Sequence, residues 1–236
     1  MSSNELSAYS DEQFEIQYSK LLYEIIKGRK QVSEPYAVIL GGQPGSGKTT
    51  LHERARRKNG NIIIINGDEY RQFHPNFVVL NEKYGKNSAT YSQPFANSVV
   101  ERLINELSDA KYNLVIEGTL RTTEVPLNTC KILKNKGYMV ELSVMAVDKE
   151  LSWQGTLDRY NDMDARGMTP RATPKEHHDL VVAALPDNIS ELYLSGEFDQ
   201  ITLYNRELDC LYNSIETPQL DPKEILKAAL DGQAID

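Results

Sequence analysis

The sequence contains little cysteine and no long apolar run. Its 2 cysteines, Cys130 and Cys210, are far apart and show no metal-ligand spacing, so we expect two reduced, inert thiols. No stretch of about 18 consecutive apolar residues is present, so the sequence predicts no membrane-spanning helix. The amino-terminal stretch MSSNELSAYSDEQFE is polar and acidic without an apolar signal core, and the expected compartment is therefore the cytoplasm.

The chain also lacks an excess of basic residues. It has 26 lysines and arginines against 34 aspartates and glutamates, which gives a formal net charge of −8 at pH 7. Nucleic-acid-binding proteins usually carry a positive balance, so this composition argues against nucleic acid as a partner but permits a local basic pocket for phosphates. With 236 residues, 40% of them hydrophobic and 25% charged, the chain is expected to form one globular domain spanning 1–236.

Strand-like apolar runs alternate with helical patterns along the chain, and no internal repeat interrupts them. The runs rich in Val, Ile, Leu or Tyr are 36–40, 61–66, 112–117, 138–147 and 201–205. The stretches with helical patterns are 11–28, 48–58, 92–109, 124–136, 149–162, 174–195 and 221–232. Strands separated by helices require crossover connections and therefore a parallel sheet. We expect a three-layer α/β/α core over 36–205, with about five parallel strands and helices on both faces.

The stretch VILGGQPGSGKTTL, residues 38–51, carries the phosphate-loop motif G-x-x-x-x-G-K-[ST] between an apolar strand and a helical pattern. The glycines let the backbone approach a phosphate closely, successive N–H groups form an anion-binding nest, and the following helix points its positive end at the same spot. Lys48 is expected to reach the β- and γ-phosphates of ATP, and the Thr49 hydroxyl to ligate Mg²⁺. The fold class is therefore that of the P-loop NTPases. The predicted ATP-binding residues are Gly42, Gln43, Pro44, Gly45, Ser46, Gly47, Lys48, Thr49 and Thr50.

Acidic residues stand at the ends of the second and third predicted strands, as Asp68 and Glu117. Because ligands of an open parallel sheet lie outside the carboxyl ends of its strands, both carboxylates should face the crevice of the phosphate loop. Asp68 can accept a proton from a substrate hydroxyl, and Glu117 could do the same, bind the acceptor or hold Mg²⁺ through water. Either acid is also compatible with capping of the following helix. Glu101, in the middle of a helical pattern, is by position alone a solvated helix residue.

A basic, proline-marked segment, TPRATPKEHHD at residues 169–179, follows the fourth predicted strand. Arginines stabilise the charge of a transferring phosphoryl group, and a lid keeps water away from it, so this segment fits a kinase lid as well as it fits a solvated basic loop. His177 and His178 have no second cluster of ligands nearby in sequence, so no metal site is predicted there. The basic residues in or near the segment are Arg159, Arg166, Arg171 and Lys175.

The order and spacing of these motifs make the chain resemble the zeta/PezT family of bacterial toxins, from epsilon–zeta-type toxin–antitoxin systems. The resemblance extends over about residues 10–216. It implies an ATP- and Mg²⁺-dependent P-loop kinase that phosphorylates UDP-N-acetylglucosamine at its 3′-hydroxyl and so starves peptidoglycan synthesis. It also implies a small helical antitoxin that blocks the nucleotide site, usually in a heterotetramer. The matching stretches are LGGQPGSGKTTL (40–51), NGDEYRQFHPNF (66–77), YNLVIEGTLRTTEVP (112–126), LKNKGY (133–138), TLDRY (156–160) and RATPKEHHD (171–179).

The resemblance also implies roles for residues at matching positions. Lys48 and Thr49 would hold ATP·Mg²⁺, and Asp68 would be the base for the sugar hydroxyl. Arg159 and Arg171 would grip the phosphates during transfer, whereas Arg166 receives no role. The implied sugar-nucleotide pocket draws on Asp68, Glu101, Glu117, Thr119 and Arg121.

Two other functions stay open from the residues alone. A kinase of the same fold could act on a small metabolite, an antibiotic or a nucleic-acid end, because acceptor specificity resides in loops that the phosphate motif does not constrain. The second alternative is a nucleotide-dependent binding or switch module without an acceptor.

Overall fold

Six β-strands form one sheet in the computed structural model, which describes residues 3–233. The order across the sheet is β2-β3-β1-β4-β5-β6, and only the β5–β6 pair is antiparallel. The ends of the predicted 1–236 domain, residues 1–2 and 234–236, lie outside the described residues. The strands are β1 (Tyr36–Gly41), β2 (Ile63–Ile65), β3 (Leu114–Glu117), β4 (Met139–Met145), β5 (Gln200–Tyr204) and β6 (Cys210–Asn213).

Helices connect the parallel strands, and the first long helix has a complete amino-terminal cap. Ser10 Oγ accepts a hydrogen bond from the Gln13 amide at 3.2 Å, and the Gln13 side chain accepts one from the Ser10 amide at 2.9 Å. No helix within residues 3–233 has both the length and the hydropathy to cross a membrane. The helices are α1 (Ser3–Ser7), α2 (Asp11–Ile26), α3 (Lys48–Lys58), α4 (Gly67–Tyr70), α5 (Phe77–Tyr84), α6 (Ser88–Asp109), α7 (Glu124–Asn135), α8 (Lys149–Ala165), α9 (Lys175–Leu194) and α10 (Pro222–Leu230).

Side chains of β1 alternate between two buried faces of the sheet. Ala37 and Ile39 pack in the larger core, which also contains residues of α2, α6, α7, α9 and α10. Val38 and Leu40 point to the opposite face and pack there with Leu51 of α3. Because both faces are covered, the strand reads in sequence as a continuous apolar run. The predicted α/β class, with helices on both faces of a central sheet, is confirmed.

The sequence prediction missed the edge strand β6 and the helices between β2 and α6. β6 has only 4 residues, of which Tyr212 alone is buried, so it shows no strand pattern of its own. It reaches β5 through a turn in which Leu208 adopts a left-handed φ of 70°. Helices α4 and α5, with 4 and 8 residues, are shorter than the window over which helical periodicity can be detected.

Two glycines bring α8 into direct contact with the loop that follows β1. A Cβ on Gly45 would lie 1.9 Å from the carbonyl oxygen of Ser152, and a Cβ on Gly155 would lie 2.6 Å from the carbonyl oxygen of Gly45. Both neighbours are backbone atoms, which cannot rotate away as a side chain can. The distance between α8 and the loop is therefore set by the absence of side chains at both positions.

We predict that Gly155→Ala destabilises the protein by about 1–3 kcal/mol, the cost of forcing extra volume into a packed contact. Helix propensity alone would give the opposite sign, since alanine is favoured over glycine inside a helix by about 1 kcal/mol. Denaturant unfolding measures the difference. The control is Gly60→Ala, because a Cβ there meets nothing within 4 Å. A Gly155→Ala protein as stable as the Gly60→Ala protein would contradict the packing argument.

Candidate active site

The loop between β1 and α3 has the backbone conformation that its glycines permit. Gly42, Gly45 and Gly47 have φ angles of 133°, 77° and 90°, a region that other residues rarely adopt. Gly47 is the residue that caps α3, and as a glycine it has no side chain to accept a hydrogen bond from the N–H groups at that end. Such N–H groups and the helix dipole favour an anion at the start of α3.

Lys48 is the first residue of α3 and is 8% exposed. Its ammonium donates hydrogen bonds to the carbonyl oxygens of Gly42 at 2.8 Å and Gln43 at 3.1 Å. Its Nζ also lies 4.0 Å from Glu117 Oε1. Burial lowers the pKa of Lys48, and the charge of Glu117 acts in the opposite direction. The cation is thus held at the mouth of the loop.

The loop residues divide between those that line a cleft and those that anchor the loop. Pro44, Gly45, Gly47, Lys48 and Thr49 line a cleft of about 360 Å³. The side chain of Gln43 is fully buried and donates instead to the carbonyl oxygen of Val147 at 2.6 Å. Thr50 Oγ1 donates to the carbonyl oxygen of Gly47 at 2.7 Å. Of the predicted ATP-binding set, these two side chains therefore point at protein backbone.

The cleft is lined by an excess of positive charge, although the chain as a whole is acidic. Its lining includes five cationic side chains and only two carboxylates, Asp68 and Glu117. Such an arrangement attracts a polyanion, and desolvation strengthens the attraction. The cationic residues are Lys48, Arg71, Arg159, Arg171 and Arg206.

Arg159 of α8 and Arg171 of the segment before α9 meet in this cleft. The Nη2 of Arg159 donates to Thr173 Oγ1 at 3.2 Å. The Nε atoms of Arg159 and Arg171 are buried and find no acceptor among residues 3–233. Burial lowers the pKa of Arg159, and the neighbouring charge of Arg171 lowers it further. An anion with several oxygens would satisfy these donors.

Asp68 lies in the first turn of α4, where Asn66 caps the helix by accepting from the Asp68 amide at 3.0 Å. Its Oδ1 is 3.2 Å from Nη2 of Arg71, whose side chain is 11% exposed against 44% for Asp68. Arg71 was not predicted from the sequence. The available signal was its i,i+3 spacing from Asp68, which places the two side chains on one face of a helix.

Glu117, at the end of β3, contacts a second residue that sequence reasoning missed. His52 Nε2 lies 2.9 Å from Glu117 Oε2, although the ring N–H does not point along that line. Burial raises the pKa of Glu117, but His52 and then Lys48 and Arg171 lower it, and the net pKa lies below its ordinary value. The available signal was the spacing of His52 one helical turn after Lys48.

A second cavity of about 510 Å³ adjoins the first. Five residues line both cavities, so the two acids stand at the boundary between them. The loop after β3 contributes Thr119 and Arg121 to the second cavity. The five shared residues are Asp68, Gln93, Glu117, Thr119 and His177.

Some of the site residues predicted from the sequence lie at the boundary between the two cavities, and others do not. Glu101 is exposed on α6 and lines neither cavity. Arg166 pairs with Asp162 at 2.9 Å at the exposed end of α8. Burial lowers the pKa of His177 at the boundary, and the charge of Arg121 lowers it further. In the described part of the chain, no three His, Cys, Asp or Glu side chains are grouped as metal ligands.

We predict that His52→Leu raises the pKa of Glu117. Burial, which raises this pKa, persists in the variant, whereas the contact with His52, which lowers it most, is removed. A carboxylate with a lowered pKa in the folded state adds stability above its unfolded pKa, and that contribution is lost as pH falls through the folded pKa. The loss of stability on acidification should therefore be smaller in the variant, because the folded pKa of Glu117 moves up towards its unfolded pKa and the interval between the two narrows. Carbon NMR titration of the Glu117 carboxyl and unfolding measurements across about pH 3–7, a range that includes the ordinary Glu pKa of about 4.3, measure both effects.

The matched control is His74→Leu, since His74 is also buried but bonds to the carbonyl oxygen of Ser7. It should leave the Glu117 pKa unchanged. Equal titration of Glu117 in the wild type and in His52→Leu would contradict the assigned pairing.

Comparison with known proteins places the chain in a family. A profile described as Zeta toxin matches residues 21–217. The chain is 48% identical over 225 residues to Toxin zeta of Streptococcus pyogenes, covering 94% of this chain and 78% of that protein. It is 42% identical over 231 residues to Toxin PezT of Streptococcus pneumoniae serotype 4, covering 97% and 91% of the two chains.

Solved structures agree with this placement. A chain of the PezAT chromosomal toxin-antitoxin system of Streptococcus pneumoniae superposes with a TM-score of 0.86 at 38% identity, covering 95% of this chain and 89% of that one. The AvrRxo1-ORF1:-ORF2 complex with ATP gives a TM-score of 0.54 at 17% identity, covering 85% and 62%, which is a likeness of fold alone. The chain therefore belongs to the Zeta toxin family.

Proposed function

We propose that this protein is a kinase that transfers the γ-phosphate of ATP to the 3′-hydroxyl of UDP-N-acetylglucosamine. In this role it would act as a toxin that blocks peptidoglycan synthesis. The observation that carries the proposal is the position of the Asp68 carboxylate, which lines both the cationic cleft and the adjoining cavity. A base for phosphoryl transfer must reach a donor phosphate and an acceptor hydroxyl at once. Membership of the Zeta toxin family supports the same activity.

The phosphate loop would hold the donor. The β- and γ-phosphates of ATP would accept hydrogen bonds from the loop amides and draw the Lys48 ammonium away from its present carbonyl partners. Thr49 is exposed in the first turn of α3 and lines the cleft, so its hydroxyl fits the Mg²⁺ ligand of the motif. Mg²⁺ held there would neutralise part of the phosphate charge.

Asp68 would accept the proton of the acceptor hydroxyl as the new phosphate ester forms. The guanidinium of Arg71, 3.2 Å away, orients the carboxylate. Arg159 and Arg171 would stabilise the charge on the transferring phosphoryl group, since each carries a buried Nε without an acceptor in the described chain. Transfer is then favoured by positioning and charge, as phosphoryl chemistry requires.

The second cavity is the proposed acceptor site. Glu117, Thr119 and Arg121 line it together with Asp68. Arg121 provides a cation for the diphosphate of a sugar nucleotide, and the carboxylate and hydroxyl can hydrogen-bond sugar hydroxyls. Glu101, which the family resemblance adds to this set, is exposed on α6 outside the cavity lining. Its contribution would require the ligand to extend past the cavity edge.

The proposed macromolecular partner is a small helical antitoxin that covers the nucleotide cleft in a heterotetramer. The support is the 38% identity and the TM-score of 0.86 to a chain of the PezAT toxin-antitoxin system. Occlusion of the cleft would prevent both nucleotide entry and transfer.

We predict that Asp68→Asn lowers phosphate transfer by about 10²–10⁴-fold, the usual worth of a general base, while ATP binding is nearly unchanged. Transfer from labelled ATP to UDP-N-acetylglucosamine measures the rate, and calorimetry measures ATP binding. The substitution removes the charge partner of the buried Arg71, so melting temperatures must accompany the rates. The matched control is Glu69→Gln, an exposed acid on the same helix that does not line the cleft.

Each outcome of this assay separates the functions that the sequence left open. No phosphorylated sugar nucleotide from folded, antitoxin-free wild-type protein would reject the proposed acceptor. Transfer to a small metabolite, an antibiotic or a nucleic-acid end would then identify a different kinase, and ATP binding without any transfer would favour a switch module. A wild-type rate in Asp68→Asn would remove Asp68 from the role of base.

A further inference from the structure

Three buried polar side chains link the phosphate loop to two helices. Gln43 and Ser152 are 0% exposed and His178 is 1% exposed. Gln43 Nε2 lies 3.2 Å from Ser152 Oγ, and Ser152 Oγ lies 3.0 Å from His178 Nε2. These residues belong to the loop, to α8 and to the first turn of α9. None of them lines the cleft, so the phosphate-transfer roles proposed above leave this cluster unexplained.

The proton positions in this cluster follow from what each group can donate. His178 Nδ1 lies 3.2 Å from Asp179 Oδ1. A carboxylate only accepts, so Nδ1 is the donor in that contact. Ser152 Oγ accepts from the Gln43 amide, donates to the carbonyl oxygen of Lys149 at 2.9 Å in its own helix, and is hydrogen-bonded to His178 Nε2. The cluster is a continuous chain of hydrogen bonds from the loop to α9.

The chain of hydrogen bonds fixes elements that carry the cations of the cleft. Ser152 and Arg159 are two turns apart on α8, so they lie on one face of that helix. Arg171 precedes α9 by a short connection that contains Thr173, the acceptor of Arg159. The segment from Arg171 to His178 is therefore attached to α8 at two points, once through Thr173 and once through His178.

We propose that Ser152 and His178 are positioning residues that hold Arg171 against the phosphate loop during phosphoryl transfer. The proposal rests on the proposed kinase function, since it assigns Arg171 to the transferring phosphate. Burial also makes the link rigid, because an unmade hydrogen bond in a dry site is costly. Loosening the start of α9 would displace Arg171 without removing any group that contacts a substrate.

The test compares His178→Leu, which keeps bulk but cannot hydrogen-bond to Ser152, with His178→Gln, whose side-chain amide can hydrogen-bond to Ser152 in place of Nε2. His178→Leu is expected to lower kcat by about 10–100-fold, the effect of misplacing a positioned group, with little change in the Kd for ATP. His178→Gln is expected to recover most of the rate. The control for lost packing is Leu185→Ala, at a fully buried position on the same helix, which should lower stability but not kcat per folded molecule.

A double-mutant cycle distinguishes positioning from packing. If His178 acts through Arg171, then His178→Leu should leave kcat almost unchanged in an Arg171→Ala background, because the guanidinium that His178 positions is absent. Full additivity of the two substitutions would overturn the proposal, as would a kcat in His178→Leu equal to that of Leu185→Ala.

A second readout does not depend on the acceptor. ATP·Mg²⁺ is expected to slow hydrogen exchange of the amides at 175–181 in the wild type and in His178→Gln, but not in His178→Leu. Equal protection in all three proteins would overturn the coupling. If the wild type fails to phosphorylate UDP-N-acetylglucosamine, the proposed function fails, and the exchange experiment still decides whether the phosphate loop and α9 are coupled.

Discussion

Buried positive charge at the carboxyl end of β1 is the constraint on which the site depends. Lys48 is 8% and Arg71 is 9% exposed, and desolvation lowers the pKa of each. Two loop carbonyls and the Glu117 carboxylate lie against Lys48, and the carboxylate and carbonyl oxygen of Asp68 lie against Arg71. In the cleft as a whole, five cations face two carboxylates. Cations with so few opposing charges can interact strongly with a polyphosphate. The protein maintains this cationic cleft although its net charge is −8.

Close packing between backbone segments sets the positions of the cationic side chains. Gly45 and Gly155 allow α8, which carries Arg159, to touch the phosphate loop. At the other side of β1, a Cβ on Gly41 would lie 2.0 Å from Cδ1 of Leu120, whose own φ is 55°. Asn188 of α9 donates to the carbonyl oxygen of Leu120 at 2.8 Å. Helix α9 thus supports the loop that carries Thr119 and Arg121 as well as the segment that carries Arg171.

Sequence reasoning can place a residue whose position follows from strand topology. The phosphate loop, Asp68 and Glu117 were predicted because the carboxyl ends of parallel strands meet at one edge of a sheet. It missed His52 and Arg71 because their importance depends on contacts across elements, not on a pattern within one. By position alone it made Glu101 a solvated helix residue, and Glu101 is exposed on α6 outside both cavities; only the family resemblance added it to the pocket. Whether the arginine segment was a lid or a solvated loop also needed the fold, which buries Nε of both Arg159 and Arg171.

The most direct test of the account is a crystal structure with a non-hydrolysable ATP analogue, Mg²⁺ and UDP-N-acetylglucosamine. The account predicts the sugar 3′-hydroxyl within hydrogen-bond reach of the Asp68 carboxylate, about 3 Å, and in line with the γ-phosphate. It also predicts Lys48 on the phosphates and the diphosphate of the acceptor near Arg121. A sugar nucleotide bound away from Asp68 would contradict it, as would one bound beside Phe77 and Met168, in the cavity that shares Asp68 and Arg171 with the cleft, with its 3′-hydroxyl turned from the phosphate.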